Sequence, residues 1–137
     1  MKKIIISFVL CLICVCFTAG ALATNVQPFS STLIMNYDIA IRKNGTTIYA
    51  DASIMTRTTA DKLGFSYIRI QEQRGASWVT VKSITDKYKL NGSTYTYSIS
   101  YAGTAGNVYR ATAGFYAEDA GESDSRSGTS SSITASN

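Results

Sequence analysis

Hydrophobic and polar residues alternate along most of this chain with a period of two. Leu33, Met35, Tyr37, Ile39 and Ile41 share one parity, with Asn36, Asp38 and Arg42 on the other. Within Thr46 to Thr56, Ile48, Ala50, Ala52 and Ile54 repeat the pattern. Phe65 to Gln73 places Ile68 and Ile70 inward, and Ser77 to Ile84 carries Trp78, Val79 and Val81. Thr94 to Tyr101 alternates without a fault: Tyr95, Tyr97, Ile99 and Tyr101 oppose Thr94, Thr96, Ser98 and Ser100. Val108 to Ala117 aligns Tyr109, Ala111, Ala113, Phe115 and Ala117 on one face. Such a period, in segments rich in β-branched and aromatic residues, predicts half-buried strands.

Turn-forming residues punctuate the pattern. Asn44-Gly45 and Arg74-Gly75-Ala76 read as hairpin turns, and Asn91-Gly92 as a turn leading into Thr94. Asn44-Gly-Thr46 and Asn91-Gly-Ser93 also match the glycosylation acceptor, but their place between strand patterns favours turns. The small residues Ala102 to Asn107 separate Thr94–Tyr101 from Val108–Ala117, so these two segments read as an antiparallel hairpin near the middle of a sheet. Thr58 to Gly64 fits either one helical turn, capped by Asp61 and ended by Gly64, or a connection crossing between sheets. Asp86 to Leu90 reads as an edge or loop. The alanines at 111, 113 and 117 would let a large side chain such as Trp78 approach the core closely. About seven strands, spaced by roughly 8–12 residues, predict an all-β antiparallel β-sandwich of immunoglobulin/fibronectin type III-like form.

Residues 1–23 stand apart from this pattern. Lys2 and Lys3 precede an apolar run from Ile4 to Phe17, and Ala21-Leu22-Ala23 forms a small-x-small site, the layout of a secretory signal peptide. The expected division is a signal peptide at 1–23, a lead-in at 24–32, the sandwich at 33–133 and a flexible tail at 134–137. Localisation is expected to be secreted, with no membrane insertion after cleavage. Cys11, Cys14 and Cys16 all fall in the leader, and the chain has no histidine. After residue 23 there is thus no disulfide, thiol nucleophile or imidazole, which removes the commonest general base and metal ligands. Without Lys2 and Lys3, 11 of the 13 basic residues remain against 9 acidic ones, a net charge of +2. That is too little to make nucleic acid the default partner.

Gly106-Asn-Val-Tyr109-Arg-Ala111 resembles the start of strand F in fibronectin type III and immunoglobulin-like domains, where a tyrosine hydroxyl bonds back to the backbone. Thr59-Ala-Asp-Lys-Leu-Gly64, Ile68-Arg-Ile-Gln71, Ser77-Trp-Val-Thr-Val81 and Gly121-Glu-Ser123 extend the likeness. Together with the leader they resemble a family of unknown function, made of small secreted proteins of Gram-positive, clostridia-type bacteria. The resemblance implies export and an immunoglobulin-like fold, and carries over no catalytic or binding residue.

Two sets of residues can carry chemistry. Glu118, Asp119, Glu122 and Asp124 form a dense acidic stretch, but without the alternating Asp-x-Asp-x-Asp-Gly loop of a calcium site. A solvated turn is the plainer reading; a calcium site or a pair of catalytic carboxylates is the chemical alternative. The second set is the 9 tyrosines. Tyr95, Tyr97, Tyr101 and Tyr109 lie on core parities. Tyr49, Tyr67, Tyr88 and Tyr116 lie on the opposite parity or outside a clear strand, and are the candidate binding surface. The expectation is a non-catalytic binding or structural module with a protein partner, a carbohydrate-binding module being the alternative and a carboxylate-dependent enzyme the weakest. No cofactor or metal is expected, since no phosphate-binding glycine loop or serine-nucleophile motif is present.

Overall fold

The structure, a computed structural model, describes residues 32–137. The leader at 1–23 and nearly all of the lead-in lie outside the described residues. Five antiparallel strands form one sheet: β1 (Ile34–Asn44), β2 (Thr47–Arg74), β3 (Ser77–Ala102), β4 (Val108–Asp119) and β5 (Glu122–Thr134). The order is β1-β2-β4-β5, with β3 paired to the other side of β2.

Five strands stand where seven were expected because β2 and β3 each run through two predicted ones. β2 carries a wide bulge at the midpoint: its register jumps between Met55 and Ala60, while β3 advances only from Thr94 to Gly92. The Thr56 hydroxyl donates to the carbonyls of Thr58 (2.7 Å) and Ser93 (3.3 Å), satisfying backbone groups that the bulge takes out of the ladder. Thr59–Gly64 is therefore strand, not a helical turn. Asp61 caps no helix but accepts a hydrogen bond from the Ala120 amide across the sheet. Asn91-Gly92 is likewise no turn: Asn91 takes φ 52° inside β3, opposite the bulge, and bends the strand there.

The bend curls the sheet on itself. Ala102 lies opposite Thr47, and Tyr109 opposite Glu72 near the far end of β2, yet only six residues separate Ala102 from Tyr109. The two ends of β2 must therefore meet. The Tyr109 hydroxyl accepts a hydrogen bond from the Thr104 amide at 2.9 Å. One half of the sheet comprises β1, Thr47–Thr56 of β2 and Thr94–Ala102 of β3. The other half comprises the rest of β2 and β3, with β4 and β5. Accordingly Thr94–Tyr101 and Val108–Ala117 are not hairpin partners: β3 pairs only with β2, and β4 with β2 and β5.

The core between the halves takes the alternate residues that the sequence pattern assigns inward. Ile48, Ala50, Ala52 and Ile54 face Leu63, Phe65, Ile68 and Ile70, and Tyr109, Ala111, Ala113, Phe115 and Ala117 complete the inner surface. Tyr95, Tyr97 and Tyr101 pack partly buried against them. One parity differs from expectation: a register shift between Ile34 and Asn36 buries Ile34 and leaves Met35 51% exposed. The carboxyl end is also held further than expected. β5 reaches Thr134, and the buried Ala135 bonds through its amide to the Asn107 carbonyl at 2.9 Å.

Candidate binding surface

The outer face of the larger half gathers most of the aromatic residues that the core does not use. Side chains opposite one another across an antiparallel pair share a face. Gly64 pairs with Tyr88 of β3 on one side and Tyr116 of β4 on the other. With no side chain between them, the two tyrosine rings meet edge to face, 5.8 Å apart at 71°. The Lys62 ammonium, two residues along on the same face, lies 4.2 Å from the Tyr88 centroid and 5.5 Å from that of Tyr116. Leu90, opposite Lys62, is 66% exposed beside them.

Tyr67 follows on β2, opposite Gly114. Its ring occupies the space where a Cβ at Gly114 would stand, so the absence of a side chain there lets it lie against the sheet. The Arg69 guanidinium stacks 4.3 Å from the Tyr67 centroid. Further along, Arg110 stacks 4.3 Å from Trp78, and its Nε donates to Gln71 Oε1 at 2.8 Å. Trp78 is therefore on the outer face and not in the core, because Val79 takes the inward position opposite Glu72.

Of the four candidate tyrosines, the fold brings Tyr67, Tyr88 and Tyr116 together. Tyr49 lies on the outer face of the other half, under the Arg42 guanidinium at 4.1 Å. There Arg42 Nε donates to Asp51 at 2.7 Å, and the Ser98 hydroxyl donates to the same carboxylate. These bonds hold the Asp51 carboxyl below its ordinary value against the opposing effect of burial, which is the largest single influence on it. A groove of about 290 Å³ between Asp38, Asp51 and Ser98 follows from the small Ala40 on β1. Beside Tyr116, Glu118 accepts the phenol proton at 2.7 Å, and this bond raises the tyrosine pKa. Burial raises that of Tyr88.

The acidic stretch does not converge. Successive strand residues point to opposite faces, so Glu118 turns outward to Tyr116 while Asp124 turns inward. Asp124 is buried, accepts from the Ile34 amide at 3.1 Å and pairs with Arg126 at 3.2 Å. Among the described residues no group of three metal-competent side chains forms.

Glu72 is a buried acid that residue-by-residue reading passed over. It accepts from Arg74 Nε and from the Tyr109 hydroxyl, each at 2.8 Å. The Arg74 bond, followed by that of Tyr109, holds the Glu72 carboxyl below its ordinary value. Its parity with Ile68 and Ile70 was the available signal. The arginine stacks were partly legible too: Tyr67 and Arg69 are two apart on one strand, whereas Trp78 and Arg110 meet only through the fold.

No known protein family and no curated protein matches this chain. Among solved structures it is similar to a hypothetical protein from Pyrococcus horikoshii, at 10% identity over 77% of this chain and 93% of that one, with a TM-score of 0.36.

Proposed function

We propose that this chain is an exported, non-catalytic binding module that engages a protein partner at or outside the bacterial cell surface. The observation that carries this reading is the concentration of Tyr67, Trp78, Tyr88, Leu90 and Tyr116 on one outer sheet face, where the core makes no use of them. Aromatic side chains with polar tips are the residues from which protein-binding hot spots are built. A sugar-stacking platform needs rings lying in one plane, whereas Tyr88 and Tyr116 stand at 71° to one another with Lys62 above them. The dispersal of the acidic residues, and the lack of histidine and of cysteine beyond Cys16, favour binding over catalysis. Two sheet halves facing across one core, with the Tyr109 hydroxyl bonded to the Thr104 amide, support an immunoglobulin-like reading of the fold.

The test is a partner screen and a glycan array run side by side with the protein and with a variant carrying Tyr67→Ser, Tyr88→Ser and Tyr116→Ser. A protein partner held by the parent and released by the variant is expected. Binding confined to neutral glycans, or a partner unaffected by the triple change, would overturn the reading. Export is tested by intact mass: secreted material should begin at Thr24.

A further inference from the structure

Three arginines in this fold hold their guanidinium over an aromatic ring, and one of them shows what the arrangement does. Arg42, stacked on Tyr49, grips the Asp51 carboxylate with Nε at 2.7 Å and Nη2 at 3.5 Å. A ring beneath a guanidinium limits its freedom, so less is lost when a carboxylate arrives. Arg69 on Tyr67 and Arg110 on Trp78 repeat the stack on the opposite half, with centroid distances of 4.3 Å each. Neither forms an ion pair among the described residues: the ion pairs are those of Arg42, Arg74 and Arg126.

The two stacks without an ion pair are neighbours, and Arg110 Nε is already bonded to Gln71 Oε1, which leaves its terminal nitrogens for a ligand. Arg69 pairs with Thr112, and Arg110 pairs with Gln71 two positions along, so Arg69 and Arg110 are diagonal neighbours on adjacent strands. That puts their Cβ atoms about 7–8 Å apart. Around them on the same face stand Thr80, Ser83, Thr112 and Thr129, which are neutral hydroxyls. The acids on this side of the fold are otherwise engaged: Asp86, about 10 Å along β3 from Ser83 by strand rise, accepts from the Tyr88 hydroxyl at 3.5 Å, Glu118 holds the Tyr116 hydroxyl, and Glu72 faces inward to Arg74 and Tyr109. Lys62 adds a third cation at the far end of the face. Neither guanidinium is neutralised by a carboxylate among the described residues, so an anion arriving there meets uncompensated positive charge.

We propose that Arg69 and Arg110 form a docking site for the carboxylates of an acidic, extended segment of a polypeptide partner. Arg69 leans onto Tyr67 while Arg110 leans onto Trp78, opposite Gln73, so the two cations bracket a stretch of the face that an extended acidic chain would cross. One acidic residue would meet each guanidinium, while the Tyr67–Tyr88–Tyr116 patch contacts the segment beyond. The proposal rests on the protein-binding reading above and names the chemistry of that partner.

Trp78, the single tryptophan of the chain, reports on the site directly because Arg110 lies on its ring. Titration with an oligo-glutamate peptide should give a saturable change in Trp78 fluorescence that weakens as salt rises. Calorimetry should show affinity falling about tenfold for Arg69→Gln and for Arg110→Gln. Arg69→Lys, which keeps the charge and loses the fork, should also weaken binding, and Arg42→Gln on the other half should not. Circular dichroism of each variant checks folding, the lysine variant serving if a glutamine variant unfolds. Absence of a saturable response, an equal loss in Arg42→Gln, or tighter binding of an oligogalacturonate than of the peptide would each overturn the proposal. If the peptide fails while the tyrosine variant still releases a protein partner, only the acidic chemistry falls and the binding face stands.

Discussion

Tyr109 shows how much one side chain does at the seam of this fold. Its ring is fully buried, and its hydroxyl joins the two ends of the curl by accepting from Thr104 and donating to Glu72. Tyr109→Phe removes both bonds, leaving the Thr104 amide without its acceptor and Glu72 without one of its donors, and should cost roughly 1–3 kcal/mol. Tyr109→Ala also removes the ring and should cost about 3–5 kcal/mol. Tyr116→Ala, on the outer parity of the same strand, should cost much less in the same chemical denaturation series. Glu72 sets a pH dependence. Its carboxyl is held below the ordinary value of 4.5, so the unfolded chain binds the proton first on acidification. The stabilisation is thus complete above pH 4.5 and is lost as pH falls through the folded-state value. Melting temperature measured against pH should drop on this acid limb, and Glu72→Gln should flatten it. An unchanged acid limb in that variant would assign the effect to other carboxylates.

Among the strands, β4 and the Thr47–Ile54 and Ile68–Ile70 stretches of β2 show the inward faces in their alternation, because the inward residues there are apolar. Parity failed where a bulge intervened. The extra residue at Met35 changes which side of β1 faces the core, and past the bulge at Thr56–Thr59 the buried positions of β2 pass from Ile54 and Ala60 to Leu63 and Phe65; a bulge depends on the partner strand rather than on local sequence. Gly64 marks the most demanding point of β2. It has φ +153°, and a Cβ there would run into the Lys87 carbonyl and the Tyr88 backbone. Gly64→Ala should therefore cost more than about 1 kcal/mol, since strain outweighs the entropic gain of losing a glycine. It should also disturb the Tyr88–Tyr116 contact, visible as a change in tyrosine near-ultraviolet circular dichroism. Parent-like stability and spectra would show that β3 yields easily at Lys87 and Tyr88.

At the scale of the molecule, the curl brings the edge strands β1 and β5 together without a regular ladder between them. The junction rests on the buried Asp124 carboxylate, which takes the Ile34 amide, and on Lys43 Nζ, which donates to the Thr134 carbonyl at 2.6 Å. Asp124→Ala leaves a buried amide unpaired and should cost roughly 1–3 kcal/mol, whereas Asp124→Asn keeps an acceptor and should cost less. Hydrogen exchange at the Ile34 amide separates this local opening from global unfolding: it should speed up selectively in Asp124→Ala.

The sequence by itself determined that the chain is all-β and antiparallel, which residues face inward in Thr47–Ile54 and Ile68–Ile70 of β2, in β4 and in the second half of β3, and that Tyr109 is structural. These follow from local alternation, because in a strand the side-chain direction is set by the chain's own period. Only the tertiary structure decided that β2 and β3 are continuous and bent, that β3 and β4 lie on opposite sides of β2, and that Trp78 faces out beneath Arg110. It alone placed Tyr49 apart from Tyr67, Tyr88 and Tyr116, and set Arg69 beside Arg110. Each of these depends on pairing between residues distant in the chain, where register and curl are chosen by the fit of the whole core and not by any one segment.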